Sequence, residues 1–447
     1  MRSHGRLKAV TVGRYGRPVL LAGLIFAGLV LVGCTAPAEI SRMQPQPPTS
    51  SPSPTYATVE RPSQFDLINT VRLAPADTTN PGILSDFTYY TMDANANVLG
   101  IDVRTGQTIW DSPLTSTDPP PANVWTCLSQ VADAETVYTI ASNYQNADAP
   151  VQVMLTAINQ ATGNVLWRYS PPTTQPPVAT ECGGALGYTI TPTSHGLLLS
   201  VSEMVDDSPT TYSEMLDAAS GSVIWHSDTA VYATSSAVYG IALTSPVDAA
   251  DAVLIDLTTG VTGATIATAE PGAVWPSYSV LGLIDGDLII MQQALAITFD
   301  PKDPVGTTTT NTSIFRVSAT TGLLPPKSTI QLADNDLDAC LLATDLMLVC
   351  SRLSNPTMAV GVSLTAGSTQ WEHGFADDPG GQPPLLFNGY LYGRTDGRAF
   401  VLDTSSGNVI AGGSYNQPVA VNQTGMVFSI SDADGFSWQC WWAPAVG

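Results

Sequence analysis

Residues 97–110 read NVLGIDVRTGQTIW, and this stretch decides the fold. The alternating apolar segment from Asn97 to Asp102 reads as a strand. The Asp102 carboxylate can accept hydrogen bonds from the backbone two residues on, which starts a turn. Gly106 supplies the positive φ that closes a tight hairpin. A second strand runs from Gln107 to Trp110, and its tryptophan offers a large flat surface to a neighbouring unit.

The same pattern, Asp/Asn/Ser-x-x-Thr/Ser/Ala-Gly after a short apolar strand, occurs seven times, closing on Gly106, Gly163, Gly221, Gly260, Gly322, Gly367 and Gly407. The glycines are spaced by 57, 58, 39, 62, 45 and 40 residues. In four copies a tryptophan follows four residues later: Trp110, Trp167, Trp225 and Trp371. One such motif is weak, but seven at blade-like intervals are specific. Further short strands lie upstream of most copies, and no amphipathic helix of normal length stands out. The fold expected is all-β: a single β-propeller of four-stranded antiparallel blades. Seven hairpins give seven blades. The C-terminal strands around Gly425–Ser431 and Trp438–Trp442 give an eighth if Phe65–Arg72 returns as its outer strand and closes the ring. Eight blades are expected, with seven as the alternative.

The run L-x-A/I-D-x-x-T-G-x-x-x-W resembles the PQQ-like repeat, over roughly residues 63–445. That family includes quinoprotein dehydrogenases and the propeller lipoprotein of the outer-membrane β-barrel assembly machine. The resemblance implies the fold and is poor for function. The dehydrogenases hold their quinone with a pair of adjacent cysteines, a calcium site and an Asp. This sequence has no adjacent Cys-Cys pair, so no cofactor is expected.

The N-terminus reads as an export signal. Residues 1–18 carry Arg2, Arg6, Lys8, Arg14 and Arg17 and no acid, and an apolar run from Val19 to Val32 follows. That run is too short for a span of about 20 residues but suits a signal-peptide core. Leu31-Val32-Gly33-Cys34 resembles a bacterial lipobox, which makes Cys34 the expected lipid attachment site. The Pro/Ser-rich stretch after it reads as an extended spacer. The expected layout is signal peptide 1–33, tether 34–62 and propeller 63–447, on the extracytoplasmic face of a cell membrane.

The net charge is −22, and residues 1–33 hold five of the 16 Lys+Arg but none of the 38 Asp+Glu, so processing leaves 11 basic against 38 acidic side chains, or −27. Such a body repels nucleic acid. Export permits disulfides. Cys340 and Cys350 flank a hairpin-like stretch, Cys127 and Cys182 occupy similar places in neighbouring repeats, and Cys440 is left odd; buried free thiols are the other reading.

No catalytic or metal set is found. His195, His226 and His373 are far apart, and no HExxH, P-loop, GxGxxG or G-x-S-x-G motif occurs. Asp93-Ala-Asn95-Ala-Asn97 starts like a calcium loop but has Val98 and Arg104 where the glycine and the last acid belong. It reads as a polar hairpin turn. The acidic clusters Asp206-Asp207, Asp334-Asn335-Asp336 and Asp377-Asp378 read as solvated loops. Strand alternation puts Trp438 and Trp442 on one face and Trp441 on the other, with at least one face in the core. The function expected is a monomeric, non-catalytic binding or scaffolding lipoprotein engaging envelope proteins. The alternatives are a glycan- or cell-wall-acting enzyme or ligand sensor, and a quinone-dependent dehydrogenase.

Overall fold

The computed structural model describes residues 58–73, 82–93, 97–114, 125–143, 152–172, 186–205, 208–235, 237–243, 252–267, 273–285, 287–300, 303–318, 329–332, 337–344, 346–352, 358–374, 385–395, 398–413, 418–431 and 438–446. The chain divides into units 1–53 and 54–447, and every described residue belongs to the second. Among the described residues the secondary structure is all strand: eight four-stranded sheets, each antiparallel. These are the eight blades of a β-propeller. Blades 1 to 7 take their four strands in chain order, over 83–113, 125–169, 186–227, 231–267, 273–331, 337–374 and 385–413. Blade 8 takes Pro418–Asn422, Gly425–Ser431 and Trp438–Pro444 from the C-terminus, and its outer strand, Val71–Leu73, from the N-terminus. The expected ring closure is thus present. The first strands of blades 8, 1, 2 and 3 pack in succession, as do those of blades 5, 6, 7 and 8, so first strands line the centre and fourth strands form the rim.

Local chemistry makes the hairpins. In six described copies the turn glycine has φ between 63° and 72°. Its N–H donates to the carbonyl of the Asp, Asn or Ser four residues earlier, as in Gly221 to Asp217 at 2.8 Å. The Asp217 carboxylate accepts from the N–H groups of Ala219 and Ser220 at 3.1 and 2.7 Å, the side-chain-to-backbone bond that starts the turn. Those hydrogen bonds also hold the Asp217 carboxyl below the usual carboxylate range, with the Ser220 hydroxyl contributing most. Gly322 lies outside the described residues.

A β-bulge follows each of the six described hairpins. Ile101 pairs with Thr108 but Gly100 pairs with Trp110, which leaves Ile109 over. Leu166, Ile224 and Ile410 are left over in the same way, and all four are exposed. The extra residue re-aims the next side chain. The aim is outward from the blade: a Cβ added at Gly163, Gly221, Gly260 or Gly407 would meet the indole of Trp110, Trp167, Trp225 or Trp371. Each tryptophan therefore lies on the turn glycine of the following blade. Each also donates its Nε1–H to a carbonyl of that turn, at 2.8–2.9 Å: Gln160, Ala218, Leu257 and Thr404. Only a glycine can accept the turn's φ and the indole together.

Candidate functional site

The connection between first and second strands and the repeat hairpin between third and fourth strands share one face of the disc, here the turn face. The connections between second and third strands emerge on the opposite face. Six predicted turn glycines lie on the turn face, and the N-terminal segment crosses it at blades 7 and 8. Val59 donates to the Gln423 carbonyl at 2.8 Å, and Asn388 Nδ2 donates to the Glu60 carbonyl at 2.7 Å. Arg61 donates to the Asn388 carbonyl at 2.9 Å, stacks 4.2 Å from the Tyr390 ring centroid and pairs with Asp403 at 3.6 Å. Burial pushes the Asp403 carboxyl up, but the Ser405 hydroxyl, the N–H groups of Ser405 and Ser406 and Arg61 together hold it below its ordinary value. Tyr392 Oη donates to the Pro62 carbonyl at 2.7 Å, and Phe65 packs against Tyr392 and bridges to Ala445.

This segment fills the seam between blades 7 and 8. Blade 7 has Ala411 in place of the tryptophan, and blade 8 has no hairpin between its third and fourth strands because the fourth, Val71–Leu73, comes from before blade 1 in the chain. Phe65 instead joins the apolar cluster of Met426, Phe428 and Ala443. The docked segment begins at Val59, inside the tether expected over 34–62. The sequence signal was faint: one arginine and one proline at the end of a Pro/Ser-rich run.

Beside it, between blades 6 and 7, is a pocket of about 450 Å³ lined by Thr344, Leu346, Met347, Ser363, Thr365, Gln370 and Ser405. Four hydroxyls and an amide give it neutral donors and acceptors. With no carboxylate in the lining, it lacks the paired acids of glycoside hydrolysis.

A second polar cluster bridges blades 2 and 3. Glu214 is buried, and its carboxylate accepts from Tyr169 Oη at 2.5 Å. His226 Nδ1 lies 3.4 Å from the same carboxylate, its Nε2 lies 3.0 Å from Asp228, and its ring stacks on Tyr212. Burial, then the adjacent Glu214 charge, drive the Tyr169 pKa upward. The phenol is thus a fixed donor to a buried carboxylate. No local sequence signal points to this group, because Tyr169 and Glu214 are 45 residues apart.

Of the other predicted residues, Cys340 and Cys350 are joined in a disulfide across neighbouring strands of blade 6. Cys440 is a buried thiol beside Tyr89. Cys127 lies on strand Trp125–Ala132, while Cys34 and Cys182 lie outside the described residues. The cysteines present do not form the adjacent pair that the resemblance implies for a quinone pocket, so the residues do not fit that group. His195 sits in a turn with Nδ1 3.2 Å from Thr258 Oγ1, and His226 and His373 lie on rim strands. The His373 pKa is lowered by burial, and its ring meets Phe400. Asp93 and Asn97 close a hairpin through bonds of 2.8 and 3.0 Å. Trp442 is fully buried and Trp441 half-buried. The three acidic clusters Asp206-Asp207, Asp334-Asn335-Asp336 and Asp377-Asp378 lie outside the described residues. Among the described residues no group of three His, Cys, Asp or Glu is placed to hold a metal, and no helix is long and apolar enough to cross a membrane.

The eight four-stranded blades, four of their junctions made by a tryptophan lying on a turn glycine, define a β-propeller. Residues 70–181 match the family described as outer membrane protein assembly factor BamB. Among solved structures, BamB from Moraxella catarrhalis is similar at 14% identity and TM-score 0.44, over 85% of this chain and 98% of that one. The computationally designed Ika8 protein is similar at 12% identity and TM-score 0.42, over 86% and 100%. Quinohemoprotein alcohol dehydrogenase from Comamonas testosteroni is similar at 12% identity and TM-score 0.35, over 80% and 66%. No curated protein matches the chain.

Proposed function

We propose that this chain is a lipoprotein held by Cys34 on the extracytoplasmic face of a membrane, with the propeller as a non-catalytic platform for envelope proteins. The observation that carries the reading is the path of the N-terminal segment. The chain leaves the Pro/Ser-rich stretch, docks at 59–65 and becomes the strand that closes the ring. The tether and the ring closure are one continuous element. The spacer from Cys34 to Val59 reaches at most about 90 Å when extended, which bounds how far the disc stands from the membrane. The match of residues 70–181 to an outer-membrane assembly factor supports a scaffolding role. A ring that closes on itself suits a monomer.

The test is a crosslinking pulldown of the lipidated protein from its native membrane, with Cys34→Ala as the control. A discrete envelope protein that is lost with the tether is the result expected. Recovery of a glycan or small molecule instead, or measurable turnover by the purified protein, would overturn the reading in favour of a glycan-acting enzyme or sensor.

A further inference from the structure

Blade 5 is longer than its neighbours. Its first three strands, Ala273–Ile284, Asp287–Asp300 and Asp303–Ser318, run 12, 14 and 16 residues. The second and third strands of blade 1 run five and six. In blade 5 those strands pair in one register from Asp287 with Ser318 to Thr298 with Thr307, and after a register shift Asp300 pairs with Asp303. The extra length extends the blade as a hairpin arm on the face opposite the docked N-terminal segment. The outer strand of the blade, Thr329–Gln331, pairs only with Ser313–Phe315. Among the described residues, nothing pairs with the outer side of the third strand from Asp303 to Asn311.

The direction of the open hydrogen bonds follows from one contact. The Leu332 N–H donates to the Thr312 carbonyl at 3.2 Å, so the peptide groups of Thr312 point toward the rim. Directions alternate along a strand, and the register here is unbroken from Asp287 to Thr298. Thr308 and Thr310 therefore also point outward, while Thr307, Thr309 and Asn311 bond the second strand. The run from Pro304 to Phe315, PVGTTTTNTSIF, has no charge. Native edges are commonly guarded by charge or proline. Here Pro304 guards only the tip, whereas the rim strands of blades 1, 2 and 6 carry Asp111, Arg168 and Glu372.

We propose that the edge of residues 307–311 is a strand-addition site for an extended, β-branched segment of a different protein, uncharged where it pairs and basic at its flanks. With residues 1–33 removed the chain carries a net −27, which repels a second copy and favours basic flanks on a partner. This inference rests on the platform reading and names where the platform binds.

The test uses the full-length lipidated chain in detergent micelles and a fluorescein-labelled peptide, KKVTVTVTKK, as the probe. Anisotropy follows binding, and amide exchange follows Thr308 and Thr310. Saturable binding is expected, with both amides gaining protection. Thr308→Pro with Thr310→Pro removes outward donors that the internal ladder does not use, and should weaken the probe by at least about tenfold. Should the double variant fail to fold, Thr308→Pro and Thr310→Pro are tested singly, and each removes one outward donor and should also weaken binding. Attraction by net charge alone leaves affinity undiminished in the folded variants, and that result overturns the site. So does no saturable binding up to about 1 mM. Protection that rises with protein concentration and without peptide makes the occupant a second copy and overturns the proposal too. A null here, together with a partner recovered in the Cys34-dependent pulldown, removes this site and leaves the platform reading standing.

Discussion

Replacing Gly221 by alanine tests the blade-to-blade contact directly. Gly221 has φ +71°, and a methyl there would lie 2.6 Å from Cδ2 and Cε3 of Trp167. The left-handed backbone costs an alanine about 1–2 kcal/mol. Carbon atoms need about 3.5–4.0 Å, so the indole must move by about 1 Å. It is not free to do so: it is 8% exposed, lies against Tyr138 and donates to the Ala218 carbonyl at 2.9 Å. Overpacking costs about 1–3 kcal/mol, and losing the hydrogen bond about 1 kcal/mol. The expected total is roughly 3–6 kcal/mol. Gly374→Ala is the matched control, since nothing lies within 4 Å of its added methyl, and it should stay within about 0.5 kcal/mol of the parent. Urea unfolding measures both. A double-mutant cycle with Trp167→Leu adds a second constraint: with the indole gone the methyl has room, so the two losses should be less than additive. A Gly221→Ala cost near that of the control, or additive losses in the cycle, would refute the argument that the glycine exists to seat the neighbouring tryptophan.

Three further outcomes are expected. Phe65→Ala should destabilise the ring by about 1.5–3 kcal/mol, because the half-buried ring is the filler of the blade 7–8 seam, and limited proteolysis should then cut first in 418–446; unchanged cleavage order would contradict it. Tyr169→Phe should cost about 1–3 kcal/mol by leaving Glu214 buried without its phenol donor, and adding Glu214→Gln should recover part of that loss in the same urea assay. The lowered pKa of His373 means that the unfolded chain takes up a proton first as pH falls. The stabilisation is therefore present above about 6.5, the unfolded value, and is lost as pH drops from there toward the lower folded value; His373→Gln should flatten stability against pH between about 7 and 5.

The ring places its two ends of interest on opposite faces. The N-terminal segment docks on the turn face, where six repeat glycines hold the hairpins in one conformation and four tryptophans join neighbouring blades. The blade 5 arm leaves from the other face. A partner pairing with the arm would meet the disc on the side away from its attachment. The joined turns between them suit a platform that holds its shape: blade 8 also bonds blade 1 through Asn422 and Thr424 to the Asp86 carbonyl, at 2.9 and 2.8 Å.

The sequence by itself determined everything that depends on a few neighbouring residues. Turn initiation by Asp102, Asp217 and their counterparts, the left-handed glycine four residues on, and the alternation of the flanking strands are local, and their sevenfold recurrence was sufficient for an all-β propeller. The eighth blade was legible as well, because strands without a hairpin at one end and a spare strand at the other left one way to remove both edges. Tertiary structure decided which surfaces meet. That Trp167 lies on Gly221, that Phe65 stands in for an absent tryptophan, and that Tyr169 supplies the donor for buried Glu214 are contacts between residues tens to hundreds of positions apart, and no local periodicity encodes them. The strand alternation of blade 5 was visible, but its open edge was not. An edge is defined by the strand that does not lie beside it, and only the assembled sheet shows where pairing stops.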